Sequence, residues 1–328
     1  MATSKFASLK EVLGDRLKTD EPLSRFTTFK IGGPADFFYE AKTADELARA
    51  VSLGRTLNLP VFILGGGSNI LIGDKGIRGL VIRNLSMHIG IKGVKAVTHS
   101  GGEQRKLVFV EADAGVPINK LVRFTVDEGL SGLHMHLGLP GSVGGALYMN
   151  SKWTRPEGYV GDAVYQVRLV TKEGEDRIVP QSYFHFAYDT SALQRTKDVV
   201  ISVVFALSAD DRDRLWKIAT ESIMYRRETQ PQGVLSAGCT FRNLSRAEAL
   251  TLGTPNLTTS AGYLVDHAGL KGASEGDAYI SPVHANFIIN RGKAKAEDVV
   301  KLIELARSQV LKQFGVRLTE EIERVGEF

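Results

Sequence analysis

The sequence predicts an α+β fold in more than one domain, on three observations. Helical and strand-like periodicities follow one another along the chain, the first glycine clusters close turns between strands instead of opening helices, and a long charged helix after Ser208 starts a stretch of different pattern. The chain has 328 residues, 43% hydrophobic and 24% charged, enough for two or three domains with sizeable cores. Lysine plus arginine number 41 against 37 aspartate plus glutamate, a net charge of +4. No basic run tracks a nucleic-acid backbone, so nucleic acid is not an expected partner, while local basic pockets leave an anionic small molecule open. Cys239 is the single cysteine and cannot form an internal disulfide. The first twenty residues lack the apolar core of a signal peptide, and no stretch is long and apolar enough to span a bilayer, so the expectation is a cytoplasmic protein without membrane partners.

The elements follow in order. Residues 43–58 space Leu47, Val51 and Leu57 as a helix, and 59–67 read as a short apolar strand ending in glycines. A Rossmann or Walker site would need a helix next, but Ile70–Ile72 and Leu80–Ile82 continue as strand. Residues 106–115 form another strand. Residues 116–130 form a helix with Pro117 near its start and Gly129 near its end, and 137–150 a glycine-rich loop entering a short helix. Strands dominate 163–207, with a hairpin turning at Glu173 and Gly174. Residues 209–231 form a helix with an acidic first turn, a basic last turn and Pro231 as its stop, and a new unit begins near Ser208. The remainder predicts a strand at 285–292, an amphipathic helix at 295–315 and a last strand at 316–326.

Three glycine clusters stand out: TTFKIGGPA (27–35), LGGGSNIL (64–71) and LPGSVGGALYMN (139–150). Consecutive glycines let backbone N–H groups converge on an anion, and an adjacent Ser or Asn adds a polar contact, so GGGSN could cradle a pyrophosphate. For any one cluster a tight turn is the competing reading. Together they suit a long ligand with two phosphates, and a flavin dinucleotide leads.

The clusters, with SAGCTFRN (236–243), AGYLVDHAGLKG (261–272), SPVHANFIIN (281–290) and LTEEI (318–322), resemble the UDP-N-acetylenolpyruvoylglucosamine reductase family in order, from about Leu23 to Gly326. The resemblance implies a two-subdomain FAD-binding half of the vanillyl-alcohol-oxidase-like type, residues 1–83 and 84–208, followed by an α+β domain, 209–328, for a UDP-sugar. It implies FAD as cofactor, NADPH as co-substrate, a role in peptidoglycan synthesis for the bacterial cell wall, and a monomer or weak dimer.

By the same resemblance, Gly65, Gly66, Gly67, Ser68 and Asn69 lie along the FAD pyrophosphate, and Gly115, Pro140, Gly141, Ser142, Gly144 and Gly145 line the flavin elsewhere. Hydride addition to the enolpyruvyl methylene carbon leaves charge on the next carbon and its carboxylate, which requires an acid and oxyanion donors. The family uses a serine in a segment like SAGSFFKNP; this chain carries Cys239, whose thiol, with a reference pKa of about 8.5, gives up a proton more readily than an alcohol. A small buried cysteine serving packing is the alternative. The second family acid, in a segment like LEPEV, selects Glu321. Strand alternation competes, because it puts Glu320 on one face with Val316, Leu318 and Ile322.

One departure matters: where the family carries a Tyr-Arg pair that grips the substrate carboxylate, this chain has Tyr188 and Asp189, and an aspartate cannot donate those bonds. Arg226 and Arg227 are candidates for the missing cation. Tyr188, Arg227, Arg242 and Asn243 are the expected substrate residues, and His284 and Asn286 match a family His and Asn. His134 and His136 are two apart and Cys239 has no cysteine partner, so no metal is expected. Two other readings remain: an FAD-dependent oxidase or dehydrogenase of a small alcohol or sugar, and a flavin or UDP-sugar binding protein with impaired catalysis.

Overall fold

The computed structural model describes residues 2–98 and 104–328. Its described residues pack as two compact units, one of Met1–Thr19, Phe37–Gly66 and Gly79–Arg226, the other of Asp20–Asp36, Gly67–Arg78 and Arg227–Phe328. Helices and sheets are mixed throughout, as expected for α+β. The boundary read near Ser208 falls within the strand Val199–Ala209. Among the described residues no helix is long and apolar enough to cross a membrane.

In the first unit the helix Ala44–Thr56 starts at Thr43, whose hydroxyl accepts the Glu46 N–H at 3.2 Å. Its buried face is Leu47, Ala48, Ala50, Val51 and Gly54, the period-3.6 stripe of the sequence. The chain then returns through Val61–Leu64, which pairs in parallel with Ile77–Asn84. A larger antiparallel sheet runs in the order Asp176–Pro180, Val164–Val170, Val199–Ala209, Gln104–Asp113 and Ile89–Thr98. Val110, Ala112, Val167, Leu169, Val203 and Phe205 face a core shared with Leu121, Val122 and Val126 of the helix Ile118–Asp127. Each fully buried Val, Leu or Phe among them contributes about 1.5–3 kcal/mol. Pro117 caps that helix, and Gly129, at φ +66°, follows its end.

In the second unit the helix Ala296–Phe314 buries Val299, Leu302, Ile303, Ala306 and Val310 and stops at Gly315 in the left-handed region. Its core includes the three-stranded sheet Ser274–Glu275, Ala278–Ile280 and Ile288–Asn290 and the helix Ala261–His267. The strand expected over 316–326 is shorter, only Glu323–Val325, paired in parallel with Ile70–Ile72. The reason is a change of partner. Residues 319–321 spend their main-chain bonds on 240–242: Arg242 N–H donates to the Thr319 carbonyl at 2.9 Å and Glu321 N–H to the Thr240 carbonyl at 2.8 Å. No single ladder runs through both stretches.

Candidate active site

In the first unit three glycine-bearing backbones meet. A Cβ on Gly65 would lie 2.4 Å from Ser142 Oγ, and one on Gly66 2.8 Å from the Gly141 Cα. Residues 114–118 are zipped to 141–144: Ile118 N–H donates to the Gly141 carbonyl at 3.0 Å, Val143 N–H to Val116 at 2.8 Å and Gly144 N–H to Ala114 at 2.8 Å. On Gly115 a Cβ would lie 2.6 Å from the Ser86 carbonyl oxygen, and on Gly144 3.2 Å from the Ala114 Cβ. At Gly66 and Gly115 the clash would be with main chain, so glycine is required there, whereas Ser142 Oγ and the Ala114 side chain could give way at Gly65 and Gly144.

The helix Val143–Met149 is the one expected after the third cluster, with Ser142 as its N-cap. Its leading donors are spent on protein: Val143 and Gly144 as above, and Gly145 on Ser142 Oγ at 3.4 Å. It therefore supplies shape more than N–H groups. Pro140, beside it, is exposed. The free donors belong to the first loop, where the N–H groups of Gly66, Gly67 and Ser68 meet no acceptor among the described residues. A run of unused N–H groups of this kind fits the pyrophosphate of a dinucleotide.

In the second unit, Gly67 takes φ +60°, and a Cβ there would lie 2.4 Å from the Phe26 carbonyl oxygen. Thr28 N–H donates to the Gly67 carbonyl at 3.0 Å, and the Thr28 hydroxyl to the Ser236 carbonyl at 2.7 Å. Asn69 is already occupied: its Nδ2 donates to the Glu321 carbonyl at 3.1 Å, while its own carbonyl accepts Glu323 N–H at 2.9 Å. Within the second unit, Asn69 thus holds the segment of the expected acid.

Cys239 is half-buried, in an antiparallel bridge with Phe287. Glu321, remote in sequence, donates its N–H to the carbonyl of Thr240, the next residue, so the two expected acids stand on adjacent, directly bonded main-chain segments. Glu320 is otherwise engaged. Its carboxylate accepts Arg324 Nε at 2.6 Å, Arg324 Nη2 at 2.8 Å and Arg307 Nη2 at 2.8 Å, and only 15% of its side chain is exposed. Alternation correctly makes it the acid among buried Val316, Leu318 and Ile322, but two arginines claim it.

Arg242 carries a buried Nε with no acceptor among the described residues. Asn243 is exposed and its Oδ1 accepts the Ala261 N–H at 3.1 Å, at the start of Ala261–His267. His284 Nδ1 accepts the Asn286 N–H at 3.3 Å, and burial pushes this histidine below its ordinary pKa. Arg227 is exposed near the end of the helix Arg212–Thr229.

The remaining candidates lie in the first unit. Tyr188 is 39% exposed, with Lys152 Nζ 5.4 Å from its ring centre and equally far from that of Tyr159. Asp189 is 6% exposed at φ +51°, its carbonyl accepting Gln194 Nε2 at 3.0 Å. Arg226 stacks on Trp153, 4.1 Å from guanidinium carbon to ring centre. Lys152 was missed from sequence, where a lone lysine carries no signal. His136 is fully buried, and burial, then the charge of Arg226, push it down to about 3. His134 is lowered by burial as well and accepts Gly132 N–H at 3.3 Å.

Comparison with known proteins agrees with this geometry. A family model described as "FAD binding domain" matches residues 35–178. A VAO-type flavoprotein from Myceliophthora thermophila C1 superposes with a TM-score of 0.58 over 94% of this chain and 85% of its own, at 11% identity, a likeness of fold alone. The fold is that of the VAO-type flavoproteins, and the chain carries an FAD-binding domain.

A second family model, "UDP-N-acetylenolpyruvoylglucosamine reductase, C-terminal domain", matches residues 230–325. A reductase of that name from Desulfosudis oleivorans is 37% identical over 97% of each chain, and one from Heliobacterium modesticaldum 38% identical over 94% of this chain and 90% of its own. The crystal structure of the enzyme from Thermus caldophilus aligns with a TM-score of 0.72 and 32% identity, over 94% of this chain and 98% of that one. The chain belongs to the UDP-N-acetylenolpyruvoylglucosamine reductase family.

Proposed function

We propose that this chain reduces the enolpyruvyl group of UDP-N-acetylenolpyruvoylglucosamine with NADPH, giving UDP-N-acetylmuramate for peptidoglycan synthesis. The observation that carries it is the 37% identity to a named reductase across 97% of both chains. FAD, when bound, carries the hydride from NADPH to the substrate. Gly65, Gly66, Gly67 and Ser68 hold its pyrophosphate through main-chain N–H groups; Asn69 shapes the loop, since its amide is spent on Glu321. Gly115, Pro140, Gly141, Ser142, Gly144 and Gly145 form the neighbouring wall. Residues 1–83 and 84–208 are read as the two FAD-binding subdomains and 209–328 as the substrate domain, although 20–36 and 67–78 pack with 227–328 and residues up to 226 with the first unit.

Reducing the carbon–carbon double bond takes a hydride at the methylene carbon and a proton at the carbon bearing the ether oxygen. The Cys239 thiol donates that proton and recovers one from solvent. Glu321 acts as an acid, its protonated carboxyl donating a hydrogen bond to the carboxyl end as negative charge develops there. Glu321 is preferred to Glu320 for that role, because the Glu320 carboxylate is paired with Arg307 and Arg324. Arg242, Arg227, Tyr188 and the side-chain amide nitrogen of Asn243 take the UDP-sugar. A cytoplasmic monomer or weak dimer completes the proposal, its reducing compartment supported by the lone thiol.

Anaerobically, the yellow protein should bleach with NADPH and regain its colour with the enolpyruvyl UDP-sugar. Bleaching without recovery on this substrate would contradict the assignment.

A further inference from the structure

The ribbon carrying Cys239 is held by side chains on both edges. On one edge the carboxamide of Asn286, 3% exposed, closes a two-bond ring on the main chain of Phe241: Phe241 N–H donates to Oδ1 at 2.9 Å, and Nδ2 donates to the Phe241 carbonyl at 2.8 Å. The Asn286 carbonyl also accepts Thr240 N–H at 2.7 Å, and Phe287 bridges Cys239. On the other edge Phe241 bridges Glu320, whose carboxylate is fixed by Arg324 and Arg307, and Arg307 Nε donates to the Leu318 carbonyl at 3.2 Å.

A regular strand pair exchanges main-chain bonds alone; here a buried amide replaces the ladder at Phe241, two residues from the thiol. An amide presenting one donor and one acceptor is the side-chain group that can satisfy both main-chain groups of one residue. We infer that Asn286 and Glu320 are positioning residues for the proton transfer, fixing the 239–242 ribbon so that Cys239 and Glu321 keep their mutual register. The inference rests on the proton-donor reading of Cys239.

Asn286→Ala removes both bonds to Phe241, and Glu320→Gln removes the charge that holds the two arginines. Each variant is purified with FAD, and the two half-reactions are followed by stopped flow per mole of bound flavin. Flavin reduction by NADPH is expected to stay at the parent rate. Substrate-driven reoxidation should fall about 10²-fold in Asn286→Ala, the scale of a misplacement near 1 Å, and roughly tenfold in Glu320→Gln, with the KM for the UDP-sugar changed less than twofold. In a Cys239→Ala background the same substitutions should cost under about twofold more, because the group they position is gone.

A merely structural role would slow both half-reactions alike per bound flavin or add in full to Cys239→Ala, and either result overturns the inference. So does parent-like reoxidation in both variants. Should Asn286→Ala not accumulate with flavin, Glu320→Gln and its double variant decide alone. If Cys239→Ala reoxidises at the parent rate, the proton-donor reading falls and takes the inference with it; if Cys239→Ala collapses while the other two do not, the inference alone falls.

Discussion

Gly66→Ala tests whether the first glycine cluster is a cradle or a turn. The backbone at Gly66 is not in the left-handed region, so alanine brings steric cost without torsional strain. Its Cβ would stand 2.8 Å from the Gly141 Cα and 3.4 Å from the Gly141 carbonyl carbon. Carbon atoms rest at about 3.5–4.0 Å, so the two main chains must part by about 1 Å. Overpacking of this kind costs about 1–3 kcal/mol, a fall in Tm of roughly 2–12 °C for a chain of this size. The shift also moves the unused N–H groups of 66–68. Losing one hydrogen bond to a charged phosphate costs about 1.5–3 kcal/mol, so FAD should bind about 10- to 150-fold more weakly. The assay is titration of the apoprotein with FAD by flavin fluorescence, with thermal melts of the same samples. Gly93→Ala is the control, because nothing lies within 4 Å of a Cβ there, and it should stay within about 0.5 kcal/mol of the parent. Parent-like affinity and Tm in Gly66→Ala would refute the cradle.

Two further outcomes follow from charge. Glu46 is held down to about 2, first by its hydrogen bonds to Arg16; a folded pKa below the unfolded value means stability present above about pH 4.5 and lost as pH falls through 2, so Glu46→Gln should cost about 1 kcal/mol at pH 7, discounted for exposure of the pair, and nothing near pH 2 by chemical denaturation. A cost that persists at pH 2 would contradict it. His136 is depressed to about 3, so the native state resists its protonation and stability falls as pH drops from about 6.5 toward 3. His136→Leu should therefore gain about 2 kcal/mol relative to the parent between pH 7 and pH 5, and a gap that does not change with pH would refute the burial argument.

Local signals in the sequence carried the elements whose causes are local. The helices Ala44–Thr56 and Ala296–Phe314 have apolar stripes and end signals within a few residues, and both stand where periodicity put them. The glycine clusters were legible as close approaches because a missing side chain is visible in any sequence. What they approach was not, since Gly66 meets Gly141 from 75 positions away. The last strand was overextended for the same reason: alternation runs through 316–326, but hydrogen bonds at 319–321 go to a segment some eighty positions earlier. Alternation made Glu320 the intruding acid without revealing Arg307 and Arg324, which decide its role. Asn286 was visible as a motif residue, and its bond to Phe241 was not. Periodicity says nothing of segments such as 20–36 and 67–78, which pack with the C-terminal part.

The central claim is that a thiol delivers the proton. Single-turnover reoxidation of Cys239→Ala and Cys239→Ser, each pre-reduced with NADPH and mixed with the enolpyruvyl UDP-sugar in the absence of oxygen, tests it most directly. The account predicts that alanine slows product formation by about 10²–10⁴-fold while serine, the group the family uses, preserves it; equal and undiminished rates in both would contradict it.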